Sequence, residues 1–214
     1  MTADIPPRGD RGRVHQMAER GQYDADTVHA ILDASLIGHV AFVVDGQPFS
    51  IPTAIARIDD WLYLHGSRSS RLFKLLADGA PVSVSVCLVD GLVKARSAFH
   101  CSMNYRSVVV FGCAEPVPEA ERAELLYRFT ERLIPLAREH YRAHLAKELK
   151  ATMLVRLPLD EASAKLRTGG PVDDAEDLEL PHWAGVIPLT TVMGAPEASA
   201  DLAAGIAPPA RLAR

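Results

Sequence analysis

Residues 81–88 read P-V-S-V-S-V-C-L, and this alternation is the first limit on the fold. Val82, Val84 and Val86 fall on one side of an extended chain, and Ser83, Ser85 and Cys87 on the other. Only a period of two sorts them that way, so the segment is a strand with one apolar and one polar face. Such a strand suits an antiparallel sheet with one face packed and the other wet. The flanking sequence repeats the theme. Residues 40–44 read as a strand, Asp45-Gly46 as a tight hairpin turn and 49–57 as the return strand. Pro52 has no N–H to give, which places it at an edge or a bulge. Asp59-Asp60 makes the next turn, before a third strand at 61–65. Asp90-Gly91 reads as a further turn, with strands at 92–99, 105–114 and 152–159.

Helices fill the gaps. Asp24 is placed to cap a helix over 25–35, where Val28, Ile31 and Leu32 share one face. Another helix spans about 70–77 and stops at Asp78-Gly79. The longest helical stretch, 119–149, is interrupted near Pro135. The expected fold is mainly β with peripheral α-helices: an antiparallel barrel of six or so strands with helices outside it. With 214 residues, one domain over 23–192 accounts for the chain. A polar arm at 1–22 carries Arg8, Arg11, Arg13 and Arg20. Residues 163–177 read as polar and turn-rich, 182–189 as short and apolar, and 193–214 as a flexible tail rich in Ala, Pro and Gly.

Charge and cysteines narrow the function. A net charge of −4 without a basic stripe argues against nucleic acid as a partner. Cys87, Cys101 and Cys113 are odd in number and lack a C-x-x-C spacing, which fits a reducing cytoplasm. No leader-like apolar segment and no membrane-length apolar run is visible, so no membrane partner is expected.

The stretch 61–76, W-L-Y-L-H-G-S-R-S-S-R-L-F-K-L-L, carries the clearest chemistry. A strand enters a loop of hydroxyl residues, and the loop opens a helix. Ser67, Ser69 and Ser70 offer hydroxyls, and Arg68, Arg71 and Lys74 offer charge. These groups suit a phosphate; the plainer reading is a capped helix with solvated cations. His140 and His144, four apart, share a helix face but lack the glutamate of a zinc protease, so no metal is expected there. His100-Cys101 are strand neighbours that point apart. Lys94, Arg96 and Arg106 among apolar strands call for counter-charges or an anionic ligand. Lys165 and Arg167 add to that cationic set.

The motifs Q-P-F-S-I-P-T (47–53), L-Y-L-H-G-S (62–67) and S-R (70–71) resemble the FMN-binding split barrel of the pyridoxamine 5′-phosphate oxidase superfamily. D-G-L-V-K-A-R-S-A-F-H-C-S-M-N-Y-R-S-V-V-V-F-G (90–112) is similar to its nitroimidazole-resistance-type branch, as are S-A-K-L-R-T-G (163–169) and W-A-G-V-I-P-L (183–189). The resemblance implies a six-stranded antiparallel split barrel that forms a homodimer with FMN at the subunit interface. It implies that Ile51, Pro52, Thr53 and Ala54 line the flavin. Its phosphate segment matches His65, Gly66, Ser67, Ser70 and Arg71, with Lys74 as the next cation. Asn104, Tyr105, Arg106 and Ser107 match contacts from the neighbouring subunit, and His65 matches a histidine beside the flavin, the candidate catalytic group. Two features depart from the oxidases proper. Leu72 follows Ser70-Arg71 where they carry a lysine, and their C-terminal Arg–His pair is missing. The expected function is an FMN-dependent oxidoreductase acting on a small molecule. Alternatives are a deazaflavin-dependent reductase and a non-enzymatic flavin- or haem-binding protein.

Overall fold

The computed structural model describes residues 10–212. The first nine residues of the expected arm, Arg8 included, lie outside the described residues, as do the last two of the tail. Ten strands and four α-helices follow in order: β1 (Gly21–Gln22), α1 (Ala25–Asp33), β2 (Ile37–Val44), β3 (Gln47–Ile58), β4 (Trp61–Ser67), α2 (Arg71–Ala77), β5 (Pro81–Lys94), β6 (Ser102–Cys113), β7 (Glu115–Pro116), α3 (Glu119–Leu133), α4 (Ala146–Ala151), β8 (Thr152–Pro158), β9 (Ala162–Arg167) and β10 (Gly185–Pro188). All pairings are antiparallel, in the order β1-β9-β6-β5-β2-β3-β4-β8-β7, with β10 added on β5. The sheet curls without closing, which is the split-barrel architecture.

Local chemistry explains most boundaries. The Asp24 carboxylate accepts the Thr27 N–H at 2.8 Å and starts α1, whose Val28, Ile31 and Leu32 are all buried. Asp45 and Gly46 both adopt positive φ, 50° and 77°, the geometry that a two-residue β2–β3 hairpin requires. Pro135 ends the long helical stretch: Ile134, just before it, is extended, and α3 stops at Leu133. The barrel core gathers Leu62, Leu64, Val84, Val108 and Val110 with α1 and α2. A second core lies on the other side of β3, β4 and β8, where Ala56, Tyr63 and Leu154 pack under Leu125, Leu126 and Phe129 of α3. The arm is strapped to β9, since Arg11 pairs with Glu161 through two bonds and Lys165 Nζ donates to Gln16 O.

Several sequence expectations need correction. The strand expected at 92–99 is the end of β5, which stops at Lys94, so His100 and Cys101 lie in the connection to β6 and not in a strand. Asp90-Gly91 is not a turn: β5 runs through it to Lys94, and a bulge between Val89 and Gly91 absorbs the extra residue. Partners on both sides, β6 and β10, hold the strand extended there. Residues 162–167, inside the stretch read partly as turns, form β9. Its small residues Ala162 and Ala164 fill tight core positions rather than showing a strand-like sequence. His140 and His144 do not share a helix face, because His140 sits in a 3₁₀ turn and His144 in the loop after it. Among the described residues no helix is long and apolar enough to cross a membrane.

Candidate functional site: a split between two strands

β3 and β4 pair only from Ile55–Leu64 to Ile58–Trp61. Beyond that point they part company. β3 continues beside β2 as far as Gln47, and β4 continues beside β8 as far as Ser67. The opening is flanked by Ile51, Pro52, Thr53 and Ala54 on one strand and by His65, Gly66 and Ser67 on the other. The loop after β4 then turns into α2 and brings Ser70, Arg71 and Lys74 to the same mouth. Two groups of expected site residues are thus brought together by a break in pairing.

The mouth is polar and cationic. Ser67 Oγ and Ser69 Oγ share a hydrogen bond of 2.8 Å, and the Ser69 N–H donates to Ser67 Oγ. The Arg71 guanidinium lies 4.2 Å from the centroid of the Phe49 ring on β3. Arg68, Arg71 and Lys74 have no carboxylate partner among the described residues. Arg11, Arg57, Arg96, Arg106, Arg128 and Arg156, by contrast, are ion-paired. Gly66 has a packing reason of its own: a Cβ there would overlap the Phe73 ring of α2.

His65 packs edge-on against Phe129 of α3, with ring centroids 4.5 Å apart. Its Nδ1 is buried without a partner. Burial pushes its pKa below the ordinary histidine value, so the imidazole is neutral at neutral pH.

The remaining expected residues lie elsewhere in the chain. Asn104, Tyr105, Arg106 and Ser107 are on β6, separated from β3 by β5 and β2. Arg106 grips Asp90 through two bonds of 2.8 and 2.7 Å, which holds the Asp90 carboxyl below the usual carboxylate range. Arg167 donates to Asn104 Oδ1 and to the carbonyls of Gly169 and Gly170. Ser107 Oγ donates to Lys165 O. Arg106, Lys165 and Arg167 therefore each have a partner within the chain. The counter-charge expected for Arg96 is Asp173, at 2.8 Å. Register nevertheless links the two clusters. Ala54 pairs with Ile37, Cys87 with Ser107 and Ser107 with Lys165, while Ile37 and Cys87 lie in line where the β2–β5 ladder opens. Sequence reasoning missed Phe49, which carries no local signal because it matters only through Arg71 on another element.

The family model for pyridoxamine 5′-phosphate oxidase matches residues 24–166. The chain belongs to the pyridoxamine 5′-phosphate oxidase family. Within that fold it is similar to the flavocytochrome Anf3 from Azotobacter vinelandii, at 42% identity over 96% of each chain with a TM-score of 0.90. It is also similar to an FAD and haem binding protein from Mycobacterium smegmatis, at 39% identity over 89% of this chain and 94% of that one, with a TM-score of 0.87. A candidate 5-nitroimidazole antibiotic resistance protein from Bacteroides thetaiotaomicron shares the fold, at 17% identity over 68% of this chain and 86% of that one, with a TM-score of 0.58. No curated protein matches the chain significantly.

Proposed function

We propose that the protein is a flavin-dependent redox protein that also carries haem and works as a homodimer. The carrying observation is the β3–β4 split, with its serine loop and three cations that lack carboxylate partners. Such a group fits the phosphate end of a flavin: hydroxyls and guanidinium N–H groups donate to phosphate oxygens, and Arg71 can give two bonds at once. FMN is what the oxidase resemblance implies. FAD is favoured by the relative at 39% identity, whose name states it. The haem half of the reading rests on that relative and on the flavocytochrome at 42%.

Bound flavin supplies reversible electron and hydride transfer. The chain's own residues bind and orient it. Thr53 and the β3 backbone stand where a ring edge can be hydrogen-bonded, and Arg68, Arg71 and Lys74 hold the anion. His65, neutral and half-buried, is the titratable ring at the split and can give or take a proton there. This arrangement supports an oxidoreductase acting on a small molecule. A carrier that only passes electrons has the same binding groups.

The homodimer is proposed because Asn104–Ser107 lie three strands from β3, about 14 Å at ordinary strand spacing. A second copy can bring them to the split. The test is direct. Purified protein is denatured, the released cofactors are identified by mass, and flavin, haem and chain are counted. Light scattering gives the assembly mass across a dilution series. A colourless preparation that takes up no added flavin sinks the reading, and a flavin-loaded monomer sinks the dimer.

A further inference from the structure

The barrel opens a second time, between β2 and β5. These strands pair only at His39–Ser85, Val40–Val84 and Ala41–Ser83. β10 takes the same edge of β5 from Gly91 onward, so residues 86–89 have no strand beside them there. A cleft of about 660 Å³ occupies the gap, within the range of about 300–1,000 Å³ usual for cofactor sites. Its walls carry exposed apolar side chains, Leu36 at 56%, Ile37 at 49%, Leu189 at 44% and Val89 at 41%, beside the polar Ser35, Thr190 and Thr191. Apolar surface of this kind calls for an occupant.

The His39 side chain lines the cleft and makes no hydrogen bond or ion pair among the described residues. The other histidines are less suited to a metal. His65 and His144 each bury a ring nitrogen beside an aromatic ring. His15 and His100 are held by Asp10 and Asp174. His29 faces Asp60 at 3.9 Å across a smaller cleft of about 350 Å³. His140 and His182 are exposed on segments outside the sheet. At the rim, Arg106 spends Nε and Nη2 on Asp90, which leaves Nη1 for another anion.

We infer that the β2–β5 cleft is the haem site and that His39 supplies the iron ligand. The inference rests on the haem half of the proposed function. The donor set fits the group: a free imidazole, the side chains of Leu36, Ile37, Val89 and Leu189 for the macrocycle, and a guanidinium N–H for one carboxylate side chain. Coordination needs only the lone pair of a neutral ring nitrogen, with no change in oxidation state. The position also suits a redox pair. His39 pairs directly with Pro52 of the strand proposed to line the flavin, so the cleft and the β3–β4 split flank a single hairpin.

The test uses the full chain expressed with haem precursor, the parent beside His39→Ala and His39→Met. The parent is expected to hold one haem per chain with the spectrum of histidine-ligated iron. His39→Ala should bind haem at least tenfold more weakly with unchanged flavin content, and added imidazole should restore the parent spectrum. His39→Met should keep haem with a shifted spectrum, and it guards against an alanine variant that does not fold. An unchanged spectrum in His39→Ala overturns the inference but leaves haem binding standing. A thiolate-type spectrum in the parent assigns the iron to Cys87, which lines the same cleft, and also overturns it. A parent that takes up no haem removes the haem reading and the inference together. A variant that changes only the assembly mass shows that a second copy covers the cleft, and the ligand role falls.

Discussion

The guanidinium of Arg71 lies 4.2 Å from the centroid of the Phe49 ring. This contact ties α2 to the first part of β3 across the mouth of the split. It gives Arg71 a second attachment besides the anion the sequence suggests, and it holds the side chain over the opening. An exposed cation–π contact is worth about 0.5–1 kcal/mol. A charge-assisted bond to phosphate is worth about 1.5–3 kcal/mol, so the ligand term is the larger one.

Arg71→Ala is expected to weaken binding of a phosphorylated flavin by roughly ten- to a hundredfold, at about 1.4 kcal/mol per decade. Riboflavin, which has no phosphate, should bind parent and variant about equally. Fluorescence titration of refolded apo-protein compares the two. Equal weakening of both ligands shows that Arg71 acts through the Phe49 contact alone.

Gly66→Ala is expected to destabilise the fold by about 1–3 kcal/mol, because the new methyl must displace the Phe73 ring between β4 and α2. Thermal unfolding of the apo-protein measures it. Adding Phe73→Leu should recover part of the loss. If Gly66→Ala melts like the parent, the glycine is not there for Phe73.

His65 sets a pH dependence. Burial lowers its folded pKa below the value of about 6.5 for an unfolded histidine. Between those two values the unfolded chain binds more protons than the folded one, so stability rises with pH. The contribution is complete above about pH 6.5 and is lost as pH falls through the window below it. His65→Gln cannot titrate. It should lose less stability than the parent between about pH 7.5 and about pH 5.5, read from urea midpoints. Equal losses would place the proton uptake elsewhere.

Removing residues 195–214 should leave flavin content and assembly unchanged. The described part of that tail is almost wholly exposed, and the β3–β4 split and the β2–β5 cleft are built from residues upstream of it. A truncated protein that loses its flavin would show that the tail closes over the site.

The sequence by itself determined the elements whose cause is local. Asp45-Gly46 needs only its own backbone to make a hairpin, Asp24 only the next turn to cap α1, and 82–86 only alternation to be a strand. The serine and arginine loop at 67–71 was legible for the same reason, since its groups are neighbours in the chain. The family motifs added the expected flavin-site roles of 51–54 and 65–67. Tertiary structure decided whatever depends on register and on distant partners. Only pairing on both edges shows that β5 passes through Asp90-Gly91 as a bulge, and only the core shows why the alanines of β9 form a strand. Lys165 and Arg167 read in sequence as part of a cationic set for an anionic ligand, whereas the fold gives them Gln16 and Asn104 as partners. The two openings in the barrel leave no mark in sequence. Each exists because two strands stop pairing at a given residue, and where a ladder ends is set by the twist and packing of the whole sheet rather than by either strand.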